Sequence, residues 1–186
     1  MKNDKNKDLL NLASLHERHP GLTASLGGAF TEAASVCLDR HHTSPLQISV
    51  ASCGLLEKKC TIEFVKPDKR ELNAWANVID TTEFGAYGVC LAAVEKQEGL
   101  VAVRRAETLT GADWYVAPVG TDVEDLESCF RLEVSGVDSG EIAIVKSRLK
   151  QKIVQTQRGT CNLPAIASVV GFKALTVMIE KVNGEK

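Results

Sequence analysis

Residues 130–137 read Phe-Arg-Leu-Glu-Val-Ser-Gly-Val, a run in which apolar and polar side chains alternate. Alternation with a period of two marks a strand with one face on a core. Phe130, Leu132 and Val134 are therefore expected to face inward, and Arg131, Glu133 and Ser135 the other way. An acid in the middle of such a strand needs solvent or a partner, because an unpaired buried charge is costly. Arg131 or a basic residue of the following helix is the expected partner.

Two further strand-like runs precede this one, residues 100–106 and 112–119, separated by Thr110-Gly111 and followed by an acidic segment, residues 122–127. Three strands in succession imply a meander. Downstream, residues 141–157 carry Ile142, Val145, Leu149 and Ile153 on one side of an amphipathic helix that stops at Arg158-Gly159. Residues 163–170 follow as a buried strand, and residues 174–182 fit either a strand or a helix. Upstream, Pro67-Asp68 opens a helix carrying Leu72, Trp75 and Val78 to about Ile79. Asp80-Thr81-Thr82-Glu83 then restarts the helical pattern through Phe84, Tyr87, Leu91 and Val94, and Gly99 ends it. From residue 83 onward the order is helix, three strands, helix, strand, which places a mixed sheet between helices.

The beginning of the chain adds helices and a hairpin. Residues 1–7 read as a flexible, solvated end, and Asp8 is expected to cap a short helix that Pro20-Gly21 terminates after His19. Residues 23–40 place Leu26, Phe30, Ala33, Ala34 and Cys37 at helical spacing. Leu46, Ile48 and Val50 alternate, as do Ile62 and Phe64, which suggests a hairpin. The expected fold is thus one domain of 186 residues in the α/β (α+β) class. A mixed central sheet with an αβββαβ core over residues 83–170 is flanked by helices, and residues 8–80 supply the N-terminal helices and β-hairpin.

Composition limits the functions available. With 44% hydrophobic and 25% charged residues the chain reads as globular and not disordered. A net charge of -2 gives no global attraction to nucleic acid or to an anionic membrane, so any such binding must use a local patch. The sequence has no apolar run of the ~18–20 residues that span a bilayer and no apolar-centred leader, so a cytoplasmic address without membrane contact is expected. The six cysteines, Cys37, Cys53, Cys60, Cys90, Cys129 and Cys161, form no CxxC pair and read mostly as reduced core residues. A Cys53–Cys60 disulfide across the hairpin is the less favoured reading. His16 with His19, and His41-His42, lack the accompanying acids or cysteines of a ligand set, and Cys37 beside His41 reads as a core thiol. No Gly-rich phosphate loop is present, so no nucleotide cofactor is expected.

Against this background Glu83 lies in a helix, Asp113 in Gly111-Ala112-Asp113-Trp114-Tyr115 begins a strand, and Glu133-Val134-Ser135 sits on the next one. Over roughly the C-terminal 100 residues the chain resembles the PD-(D/E)XK, or restriction-endonuclease-like, nuclease superfamily. That resemblance implies Mg²⁺-dependent hydrolysis of DNA phosphodiesters, with Glu83, Asp113 and Glu133 as metal ligands. Ser135 stands where the superfamily has a lysine, which assigns the missing positive charge to Lys150 or Lys152 of the following helix. Lys146 and Lys150 share one i, i+4 row and Arg148 and Lys152 another, and both rows are candidates for phosphate contact. The first 80 residues would then serve substrate choice or homodimer formation.

Structural alternatives stand beside these roles. Asp80 and Glu83 have the spacing of a helix cap, Asp113 follows a glycine and fits a residue that satisfies turn amides, and the basic helix fits a solvated face. One ring of the Trp114-Tyr115 pair is expected in the core. The alternative function is a noncatalytic nucleic-acid or protein binding module that keeps the fold without the lysine.

Overall fold

A computed structural model of the chain describes residues 8–52, 55–108, 110–122, 126–157 and 162–182. The expected N-terminal end at residues 1–7, and with it Cys53 and Cys161, lie outside the described residues. Five helices and seven strands follow in order: α1 (Leu15–Arg18), α2 (Ala24–Asp39), β1 (Leu46–Ser52), β2 (Lys58–Ile62), α3 (Lys69–Ala74), α4 (Val78–Glu98), β3 (Leu100–Arg105), β4 (Trp114–Pro118), β5 (Phe130–Val137), α5 (Ile142–Gln157), β6 (Ala165–Gly171) and β7 (Thr176–Val182). All seven strands form one mixed sheet in the order β2-β1-β7-β6-β5-β4-β3, with β5/β6 and β1/β7 parallel and the other pairs antiparallel. The open choice at residues 174–182 resolves as a strand, which joins the hairpin to the rest of the sheet.

Helix α4 organises the interior. Its residues from Gly85 to Val94 are buried all the way round, as befits a helix enclosed by protein and not lying on a surface. It touches β1, β3, β5, β6 and β7 on one side and α2 on the other, so the sheet curls about it and α2 closes the open side. The approach of α2 is close because Gly85 and Gly88 face it: a Cβ on Gly88 would lie 3.0 Å from the Phe30 carbonyl oxygen. Phe30 in turn packs edge-on to Phe84 and Trp114. Helix α5 covers the outer face of the sheet, where Val145 is buried and Leu149 and Ile153 pack against residues of β5, β6 and β7.

Both sheet edges are occupied by the same stretch of chain. At β2, Leu10 donates to the Thr61 carbonyl and Thr61 to that of Asp8, each at 2.8 Å. At β3, the Gly21 amide donates to the Ala102 carbonyl at 2.9 Å, and the Ala102 amide donates to His19 Nδ1 at 3.0 Å. His19 therefore carries its proton on Nε2, which donates to Glu95 Oε2 at 3.2 Å. These contacts satisfy edge groups that would otherwise recruit another strand.

Several local expectations are corrected. Residues 8–19 form only the short α1, because residues 8–10 are drawn out along β2 by a bridge to Thr61. Val78 and Ile79 belong to the start of α4 and not to the preceding helix, because Asn77 accepts from the Ile79 and Asp80 amides and caps α4 there. Asp80 and Glu83 therefore do not form the cap. Ile142 is half exposed, so the apolar face of α5 begins at Val145. Trp114 and Tyr115 are both buried: Trp114 faces α4, and Tyr115 lies on the opposite face among Val101, Val103, Ala117 and Cys129. Cys37, Cys60, Cys90 and Cys129 are buried. No described helix is long and apolar enough to cross a membrane.

Candidate functional site

The site begins where β4 stops following β5. Their ladder runs from Val116–Phe130 to Trp114–Leu132, with one more bond from the Asp113 amide to the Leu132 carbonyl at 2.8 Å. Residues 133–137 of β5 continue paired to β6 alone. The opening is a cleft of about 930 Å³ walled by α4, the β3–β4 turn, β5 and α5. Glu83, Asp113, Glu133, Arg148 and Lys152 all line it. Helix α4 closes down on β5 at Gly136, where an added Cβ would lie 2.6 Å from the Thr82 carbonyl oxygen.

Asp113 sits immediately before β4 and works as a clamp. Its Oδ2 accepts from the Val134 amide at 2.8 Å, which satisfies the first β5 donor past the end of the ladder. Its Oδ1 lies 2.8 Å from the Tyr87 hydroxyl, which is also 2.9 Å from Glu83 Oε1. One phenolic proton serves only one of these two acceptors at a time. The Tyr87 hydroxyl is pushed upward in pKa, first by burial and then by the negative charge of Asp113, against the opposing pull of Arg105. It remains a phenol in this setting.

Glu133 is buried, on the face of β5 that alternation assigns to it. Its partner is Lys152, whose Nζ lies 2.6 Å from Glu133 Oε1 and 3.1 Å from Gln155 Oε1. Burial raises the Glu133 carboxyl above its ordinary pKa, the charge of Asp113 raises it further, and Lys152 pulls it down. Arg131 is not the partner. Its guanidinium donates to the carbonyls of Thr110, Thr156 and Leu163 and ties the rim of the cleft to the end of α5.

The two basic rows of α5 are separated by the packing. Arg148 and Lys152 line the cleft, whereas Lys146 and Lys150 are exposed and are not among its lining residues. Of the two candidates for displaced cation, Lys152 therefore meets the acids and Lys150 does not. Sequence reading passed over Arg105, at the end of β3, whose Nη2 is 3.1 Å from the Tyr87 hydroxyl and 3.5 Å from Asp113 Oδ1. Its only signal was its place opposite Trp114, next to Asp113, across the β3–β4 pair.

Asp113 and Glu133 both line the cleft, and carboxylate oxygens are the ligand type that suits Mg²⁺, with both Asp113 oxygens engaged in hydrogen bonds and Glu133 paired with Lys152. Five acids and three cations line the cleft, and a divalent ion would cancel that imbalance. Glu83 is separated from Asp113 by the Tyr87 hydroxyl, and no group of three His, Cys, Asp or Glu side chains among the described residues is gathered to hold a metal. Of the histidines, His19 is engaged in the β3 edge, His42 lies 3.0 Å from the Phe172 carbonyl, and His41 Nε2 lies 3.5 Å from Asp138 Oδ1. Comparison with protein-family models, with curated proteins and with solved structures gives no match for this chain.

Proposed function

We propose that the cleft binds the phosphodiester backbone of DNA and supports its Mg²⁺-dependent hydrolysis. One observation carries this reading: Asp113 before β4, Glu133 on β5 and Lys152 on α5 meet in one cleft, with the Lys152 ammonium on Glu133. Lys152 thereby brings the positive charge that Ser135 lacks. Asp113 and Glu133 would hold the ion, which when bound supplies positive charge against the phosphoryl oxygens and an acidified water. Asp113 is kept in place by the Val134 amide, and Glu133 by Lys152.

The test is cleavage of plasmid and of single-stranded DNA in Mg²⁺ and in Mn²⁺, with Asp113→Asn, Glu133→Gln and Lys152→Met in parallel. Metal-dependent cutting that is lost in the two acid variants and reduced by about 100-fold or more in Lys152→Met supports the reading. A second reading, a binding module without chemistry, is favoured by the engagement of both Asp113 oxygens in hydrogen bonds that hold the fold. Retention of DNA without cutting in either metal would select it.

A further inference from the structure

Of the three cleft cations, Lys152 is fastened to an acid at hydrogen-bond distance, whereas among the described residues Arg105 and Arg148 are not, and of these two Arg105 is the one beside Asp113. Lys152 is taken up by Glu133 and Gln155, whereas Arg105 reaches Asp113 only at 3.5 Å and donates a single hydrogen bond, to Tyr87. A guanidinium has five N–H donors, so most of those on Arg105 are unused among the described residues. Half of the side chain is exposed, and it lines the cleft.

The group is also fixed in direction. Its Cζ lies 4.7 Å from the centroid of the Tyr87 ring and 5.0 Å from that of Trp114, and both rings are buried. Packing of the cation against two buried rings reduces the freedom that a surface arginine would lose on binding a ligand. A planar fork matches the paired oxygens of a phosphate, and an ammonium does not.

We propose that Arg105 is the phosphate-binding residue of this cleft, gripping two non-bridging oxygens of one phosphate while Lys152 stays with Glu133. The proposal rests on the reading of the cleft as a DNA site and assigns recognition of the phosphate to the β3–β4 wall and not to the basic helix. Tyr87 is then a positioning residue that seats the guanidinium.

The experiment measures fluorescence anisotropy of a short labelled DNA duplex and of its single strand, across a salt series, with Ca²⁺ in place of Mg²⁺. Arg105→Ala is expected to weaken binding about tenfold or more and to lower the slope of log affinity against log salt by about one. Guanidinium ion added to that variant restores part of the affinity. Arg105→Lys keeps the slope but binds more weakly than the wild type, and Arg105→Gln, which still covers the two rings, reproduces the loss if Arg105→Ala is poorly folded. Arg70→Ala, on exposed α3, leaves affinity and slope unchanged. Wild-type affinity and slope in both uncharged Arg105 variants would overturn the assignment and leave the DNA reading standing. A wild-type protein that retains neither DNA would remove both.

Discussion

Glu133 is buried, and Lys152, at the wall of the cleft, is the cation that compensates its charge. Removal of one member of a buried pair leaves the other charge without compensation. The raised pKa of Glu133 fixes the sign of the pH dependence: its protonated form suits the fold, and the penalty on its charge grows as pH rises through the folded-state value. Lys152→Met is therefore expected to cost on the order of 2 kcal/mol at pH 7 and much less near pH 4, measured by urea unfolding at both pH values. An equal loss at both would show that the lysine stem, and not its charge, provides the stabilisation. Glu133 was legible in the sequence because an acid within an alternating apolar strand demands a partner. Which cation answers it was not, since Arg131 and Lys152 differ only in where β5 and α5 carry them. Arg105 was illegible for a related reason: beside Arg104 at a strand end it reads as one of two solvated cations, and only the rings beneath it distinguish it.

Element packing sets the width of the cleft. Helix α4 meets β5 at Gly136 with no room for a methyl group, since an added Cβ would lie 2.6 Å from both the Thr82 carbonyl oxygen and its Cγ2. Gly136→Ala is expected to cost about 1–3 kcal/mol by overpacking and to weaken DNA retention as Glu83 and Tyr87 are displaced from Asp113, checked by thermal unfolding together with anisotropy. Unchanged stability would mean that α4 moves freely against the strand. Strand β5 and helix α5 were legible almost to the residue, because alternation and an amphipathic stripe are properties of the segment itself. The start of α4 was misplaced, because Val78 and Ile79 look like the apolar side of the preceding turn until Asn77 is seen to hold their amides. Residues 8–14 were misread as helical for a deeper reason: residues 8–10 lie along β2, about fifty residues away, the carbonyls of residues 11–14 are taken by Arg18 and Thr31, and no local pattern reports either.

At the scale of the whole molecule, one stretch of chain fastens two edges of a curled sheet, and Arg18, His19 and Glu95 are its clasp. Arg18 Nε lies 2.9 Å from Glu95 Oε1, and although burial pushes the Glu95 carboxyl upward, the hydrogen bonds from His19 and Arg18 outweigh it and hold the carboxyl below its ordinary pKa. A depressed carboxylate stabilises above its unfolded pKa and loses that contribution as pH falls through the folded value. Glu95→Gln is expected to lower Tm at pH 7 and to flatten the fall of Tm between about pH 5 and pH 3, read by calorimetry across that range. Gly21→Val tests the clasp from the other side, since an added Cβ would lie 2.6 Å from the Val103 carbonyl carbon. The variant should lift the cover from β3 and shift the protein toward larger species in size-exclusion chromatography with light scattering. The strand order carries a consequence for synthesis. Strand β7, the last described strand in chain order, lies between the early β1 and the late β6. On the ribosome the cleft-bearing meander, α5 and β6 emerge before the β1 edge of the first hairpin has its strand partner, so that edge stays unpaired until β7 has followed them out.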